Sequence, residues 1–176
     1  QGARAVVSRT GRNLTGSIGI VLPGLRYAEI FQPIAREIER LAGKAGYRVL
    51  PGEILGTDPR VCAREARRLA YQFAKERVAG VIFQPLEFLK DSARASEEIL
   101  AYFVKKYIPV VLLDYDIVPS PARSSYDVVG VDNVNAGLAI GNHLLERGAR
   151  RIAFLRRPGA ALTEIDRMRG VMSAVA

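Results

Sequence analysis

Asp114 and Asp116 form the one close pair of carboxylates at what reads as the end of a strand. Residues two apart on an extended backbone point to the same side, so the pair could hold a metal or share acid–base work. Nothing else in the sequence converges on them. Cys62 is the sole cysteine and His143 the sole histidine. An internal disulfide, a multi-cysteine metal site, and a triad or zinc site drawing on several histidines therefore lack their materials. Cys62 shares the apolar side of a helical pattern with Ala66, Leu69, Ala70 and Phe73 and reads as a packing residue. His143 falls inside another helical pattern and reads as packed or at an interface. No G-x-G-x-x-G follows the first strand and no G-x-x-x-x-G-K-[ST] occurs, so dinucleotide and P-loop chemistry lose their support and no cofactor or metal is expected.

Those residues need elements to position them. Residues 17–22 are an apolar run closed by Pro23-Gly24, a buried strand and its turn. Ile30, Phe31, Ile34, Ala35, Ile38, Leu41, Ala42 and Ala45 then recur at helical spacing, with Pro33 near the helix start and Gly46 at its end. A second strand at 47–50 stops at Pro51-Gly52. Thr57-Asp58-Pro59 signals a helix start, with an acceptor side chain ahead of a proline whose missing N–H costs nothing there, and that helix runs to about residue 77. Strands follow at 80–83, 110–113, 128–131 and 151–155, with helices at about 91–106 and 135–146 and a last helix from about 162. Strands apolar throughout and alternating with helices specify an α/β fold, a doubly wound parallel sheet covered on both faces.

Ligands of such sheets sit at the carboxyl ends of the strands. Here those ends supply Tyr27, Gln84, Phe88, Asp114, Asp116, Asp132 and Asn133. Amides, carboxylates and aromatics suit a hydroxyl-rich or heterocyclic small molecule and suit phosphates poorly. Asp132-Asn133 also precedes a helix, where capping is the simpler role. The segment 114–126 is the one long irregular connection, and such loops often carry function.

The formal charge is +8, from 26 basic and 18 acidic residues. Clustered Lys and Arg are the footprint of phosphate binding. Arg60, Arg64, Arg67, Arg68, Lys75 and Arg77, however, are spread along one helix and mixed with Glu65 and Glu76, the pattern of a solvated face. Residues 1–16 stand apart, carrying Arg4, Arg9 and Arg12 and no acid, as a linker from a DNA-binding module would. No stretch approaches the ~18 apolar residues of a membrane span, and no secretory leader is visible.

Val131-Asp132-Asn133-Val134-Asn135-Ala136-Gly137, then His143 to Gly148, then Arg151-Ile152-Ala153-Phe154-Leu155, Pro158 and Arg167-Met168-Arg169-Gly170 resemble the sensor domains of the lactose- and galactose-repressor (LacI/GalR) type. Weaker matches at 15–19, 78–82 and 108–114 extend the resemblance over most of residues 15–175. It implies a periplasmic-binding-protein-like type I fold, two lobes closing on a small effector, commonly a sugar and sometimes a purine. It also implies a cytoplasmic homodimer that passes closure to a DNA-binding module. By the motif match, Arg167 is the effector-contacting arginine, Asp114 the carboxylate after the fourth strand and Gln84 a polar residue after the third. Phe31 is the matching aromatic near the start of the first helix, although its spacing with Ile34 and Ile38 favours core packing. Tyr27, nearer the loop, is a further candidate for stacking.

The division expected on this basis is a linker at 1–16 from a module absent from the chain, an N-terminal lobe at 17–150, and the truncated start of a C-terminal lobe at 151–176. The absent module is either a winged helix-turn-helix or a lactose-repressor-type helix-turn-helix. Two rivals share the scaffold: a periplasmic sugar-binding protein of a transporter, and an enzyme on a flavodoxin-like fold using Asp114 and Asp116. The basic opening from Arg4 to Arg12 leans toward the regulator.

Overall fold

The computed structural model describes residues 16–23, 28–55, 58–86, 92–156 and 161–176. Tyr27, Phe88, Pro158 and the 1–16 linker as far as residue 15 lie outside them. Five parallel strands, β1 (Gly16–Pro23), β2 (Tyr47–Ile54), β3 (Gly80–Phe83), β4 (Val110–Leu113) and β5 (Asp127–Val129), lie side by side in the order β2-β1-β3-β4-β5. Between them run α1 (Ala28–Lys44), α2 (Pro59–Lys75) and α3 (Ser92–Lys105), and α4 (Asn133–Glu146) and α5 (Leu162–Val175) follow.

Alternate residues of each strand enter opposite cores. Val21, Val81, Phe83 and Leu112 pack with Leu69, Phe73, Ile99 and Phe103 of α2 and α3. Ile20, Leu22, Leu113 and Ile82 face Phe31, Ile34 and Ile38 of α1. With helices on both faces the sheet is doubly wound, as the uninterrupted apolar strands require. Cys62 is buried in the α2 side, and His143 lies exposed on α4.

Local chemistry sets the helix ends. Asp58 caps α2, its carboxylate accepting from the Arg60 and Val61 amides at 2.8 and 3.2 Å, with Pro59 opening the helix. Gly46, at φ 81°, turns the chain out of α1.

Several boundaries differ from expectation, among them β5, which ends at Val129 rather than at 131, and α4, which begins at Asn133 rather than at 135. β2 runs on through Pro51-Gly52 to Ile54. It is an edge strand, where a residue without an N–H forfeits no ladder bond on its open side. α1 begins at Ala28, so Pro33 lies beyond the first turn. Residues 151–155, expected as a sixth strand, pair with no described strand. An apolar run becomes a strand only beside a partner, and no described strand lies next to it.

α4 packs on α5. The contact is backbone-close. A Cβ on Gly137 would strike the Arg167 carbonyl, and one on Gly170 would strike the Val134 carbonyl.

Candidate functional site

Asp114 takes the first position beyond β4 and adopts φ 78°, a left-handed conformation that Asp and Asn tolerate better than most residues. Its amide donates to the Val129 carbonyl at 2.8 Å, carrying the β4–β5 ladder one step past the strand end. Gly130 makes this possible, because a Cβ there would collide with the Asp114 carbonyl. The turn leaves the carboxyl half-buried, and it accepts no hydrogen bond from any described residue. Burial pushes its pKa up from the ordinary carboxylate range, and the Arg167 guanidinium pulls it partway back. The two charges attract through space without closing a direct ion pair.

Arg167 is placed by α5 and held by α4. Its Nε donates to Asn133 Oδ1 at 2.8 Å, while Asn133 Nδ2 donates to the Val131 carbonyl at 3.0 Å. Asn133 is only 6% exposed, so this orienting amide is fixed on both sides. Both terminal nitrogens of Arg167 remain without a partner among the described residues. Asp132 caps α4, accepting from the Asn135 amide at 3.0 Å and from its side chain at 2.7 Å. The capping role expected of Asp132-Asn133 thus belongs to the aspartate alone.

The irregular segment after β4 folds back over this corner. Asp116 accepts from the amides of Val118 (3.3 Å) and Ser124 (3.0 Å), and Arg123 Nε lies 3.4 Å away. Tyr115 Oη donates to the carbonyl of Pro85 at 2.9 Å, tying the β4 end to the β3 end. Arg169 donates to the Ser120 carbonyl at 2.8 Å and pairs with Asp166 at 3.1 Å, which fastens the loop to α5. Asp116 is therefore occupied as an organiser of its own loop. No group of three or more potential metal ligands occurs among the described residues. The carboxylate pair does not form a converging site.

Between these parts lies an open cleft of about 520 Å³, lined by Asp114, Asp116, Asn133, Val134, Leu162 and Asp166 among others. A second, of about 500 Å³, borders Arg167 with Phe154, Arg156 and Glu164. Either volume falls in the usual range for small-molecule sites.

No protein-family model matches the chain. Over 163 residues it is 26% identical to the HTH-type transcriptional repressor PurR of Mannheimia succiniciproducens, a match covering 93% of this chain and 44% of that protein. The transcription regulator CcpA of Lactococcus lactis superposes with a TM-score of 0.70 at 18% identity, over 92% of this chain and 53% of that one. A galactofuranose binding protein superposes with a TM-score of 0.65 at 20% identity, over 91% and 51%. The fold is the one these solved structures share, a periplasmic-binding-protein-like α/β domain also found in LacI-family regulators. The chain spans about half the length of the relatives it matches.

On this scaffold the residues expected at the site divide. Asp114 and Arg167 come within electrostatic reach of each other at the carboxyl edge of the sheet. Gln84 leaves β3 at the same edge, buried at 3% exposure, its backbone N–H donating to the Val21 carbonyl. Phe31 is 6% exposed and packs with Ile20, Leu22 and Leu113 in the α1 core, as its spacing favoured. Neither Gln84 nor Phe31 lines the two clefts. The sequence offers Asn133 only as a strand-end or capping residue and does not single out Tyr115 or Arg169 for these contacts. Each acts through a partner distant in sequence, and local spacing carries no signal for that.

Proposed function

We propose that this chain is the effector-sensing part of a bacterial transcription regulator. It binds a small molecule, a sugar by the chemistry of the cleft, and alters DNA binding by an attached helix-turn-helix module. The observation that carries the reading is two unfilled groups within electrostatic reach of each other, Asp114 bordering the first cleft and Arg167 the second. Asp114 offers a desolvated acceptor with no described donor, and Arg167 offers two terminal nitrogens with no described acceptor. A ligand whose hydroxyls both donate and accept answers both, with the arginine's planar fork spanning adjacent oxygens. In this reading Tyr27 adds a stacking wall, with Gln84 and Phe31 as buried backing behind the site. The active form is a cytoplasmic homodimer. No helix among the described residues is long and apolar enough to cross a membrane.

The test is a thermal shift of the gene product carrying this chain, against pentoses, hexoses, disaccharides and purines. A ligand at ~100 times its dissociation constant adds about 2.7 kcal/mol of stability. The expected result is a rise in melting temperature with one sugar, lost in Arg167→Ala. A shift that survives in that variant removes Arg167 from the site, and no shift with any sugar overturns the sugar reading.

A further inference from the structure

The acids that made α2 read as a mixed, solvated face lie off its basic side. Arg60, Arg64, Arg68, Tyr71 and Lys75 recur at i, i+4, i+8, i+11 and i+15, with Arg67 beside them. At 3.6 residues per turn these six positions fall within roughly 100° of the helix circumference. All six are exposed, and Tyr71 is 66% exposed in their midst. Glu65 lies outside this arc and accepts from the Leu55 amide at 3.1 Å. Glu76 also lies outside it and accepts from Gln72 Nε2 at 3.1 Å. Only Arg67 is neutralised, by Glu98 of α3 at 2.6 Å. Arg60, Arg64, Arg68 and Lys75 have no acidic partner among the described residues.

We infer that this stripe is a docking surface for the phosphate backbone of duplex DNA, independent of sequence. Positions four apart rise ~6 Å along the helix, and Arg60 to Lys75 spans ~22 Å. Duplex DNA carries one charge per ~3.4 Å of helix axis on each strand, so ~22 Å of axis carries about six phosphates per strand, more than enough to meet the four free charges. Arginine supplies three of the four free charges, and its planar fork fits phosphate oxygens better than an ammonium does. The surface rests on the regulator reading only for the presence of DNA nearby. Its charge geometry is independent of any effector.

Fluorescence anisotropy of the 176-residue chain with a labelled duplex of arbitrary sequence, over a series of salt concentrations, tests it. The stripe variant carries Arg60→Gln, Arg64→Gln, Arg68→Gln and Lys75→Gln. A control of equal net charge carries Arg36→Gln, Lys44→Gln, Arg147→Gln and Arg150→Gln, all exposed and off α2. The stripe variant is expected to bind at least ~10-fold more weakly at low salt, with its log–log salt slope reduced by about 3 to 4, while the control keeps most of its affinity. Equal loss in both variants makes the effect bulk charge and overturns the proposal. Unchanged binding in the stripe variant, or no binding by the wild type, overturns it too. Polyglutamate that displaces the duplex as well as unlabelled DNA does would show an acidic-protein surface instead. Circular dichroism of both variants checks that they fold, and the sugar thermal shift is read separately, so the two ideas can fail independently.

Discussion

At the residue scale, Asp114 combines three uncommon conditions: a left-handed backbone, a half-buried carboxyl and no described hydrogen-bond donor. Functional sites often hold such strain because the surrounding structure over-determines it. Its raised pKa makes a prediction with a definite sign. The folded state holds this proton more tightly than the unfolded chain. The resulting stability is fully present below the unfolded pKa and is lost as pH rises through the folded one. Asp114→Asn has no charge to desolvate and tolerates the left-handed conformation. It should melt above the wild type at pH 8, with the gap closing toward pH 4, while effector affinity falls. A gap independent of pH would place the shifted titration elsewhere. Asp114 and Arg167 were legible in the sequence through the motif and the strand-end rule. Asn133 was not, because an amide in front of a helix looks like a cap, and its bond to Arg167 spans 34 positions.

At the element scale, α4 and α5 owe their approach to missing side chains. Gly137 and Gly170 each place the opposing backbone where a Cβ would stand. Gly170→Ala is therefore expected to cost roughly 1–3 kcal/mol or more, read from the urea midpoint, since backbone cannot yield as a side chain tip can. Gly43 near the end of α1 is the counterpart, with nothing within 4 Å of an added Cβ. Gly43→Ala should gain up to ~1 kcal/mol through helix propensity and the unfolded state. Equal effects at the two positions would discard the close-packing account. The glycine of the Arg-x-x-Gly segment was visible in the sequence, but its reason was not, because the facing residue lies on another helix. Residues 151–155 show the same limit from the other side. Their apolar run says what a strand would bury and nothing about whether a strand lies beside it.

At the scale of the whole molecule, the sheet divides the core into an α1 side and an α2–α3 side, and Phe73 anchors the larger. Phe73 is fully buried, and its ring lies 2.5 Å from where a Cβ on Gly19 would stand. Phe73→Ala should cost roughly 3–5 kcal/mol, a large share of the 5–15 kcal/mol typical of a folded domain. A loss under 1 kcal/mol in chemical denaturation would mean this side of the core collapses to fill the gap. The two outer strands carry a different consequence. β2 interrupts its open side with Pro51 and exposes Arg48 and Glu53, and β5 is three residues long with Asp127 exposed. A proline, charges and brevity are the features that spoil a strand as a template for a neighbour's backbone. Among the described residues, neither margin of the sheet is well suited to recruiting strands from other molecules, a guard against fibrous aggregation.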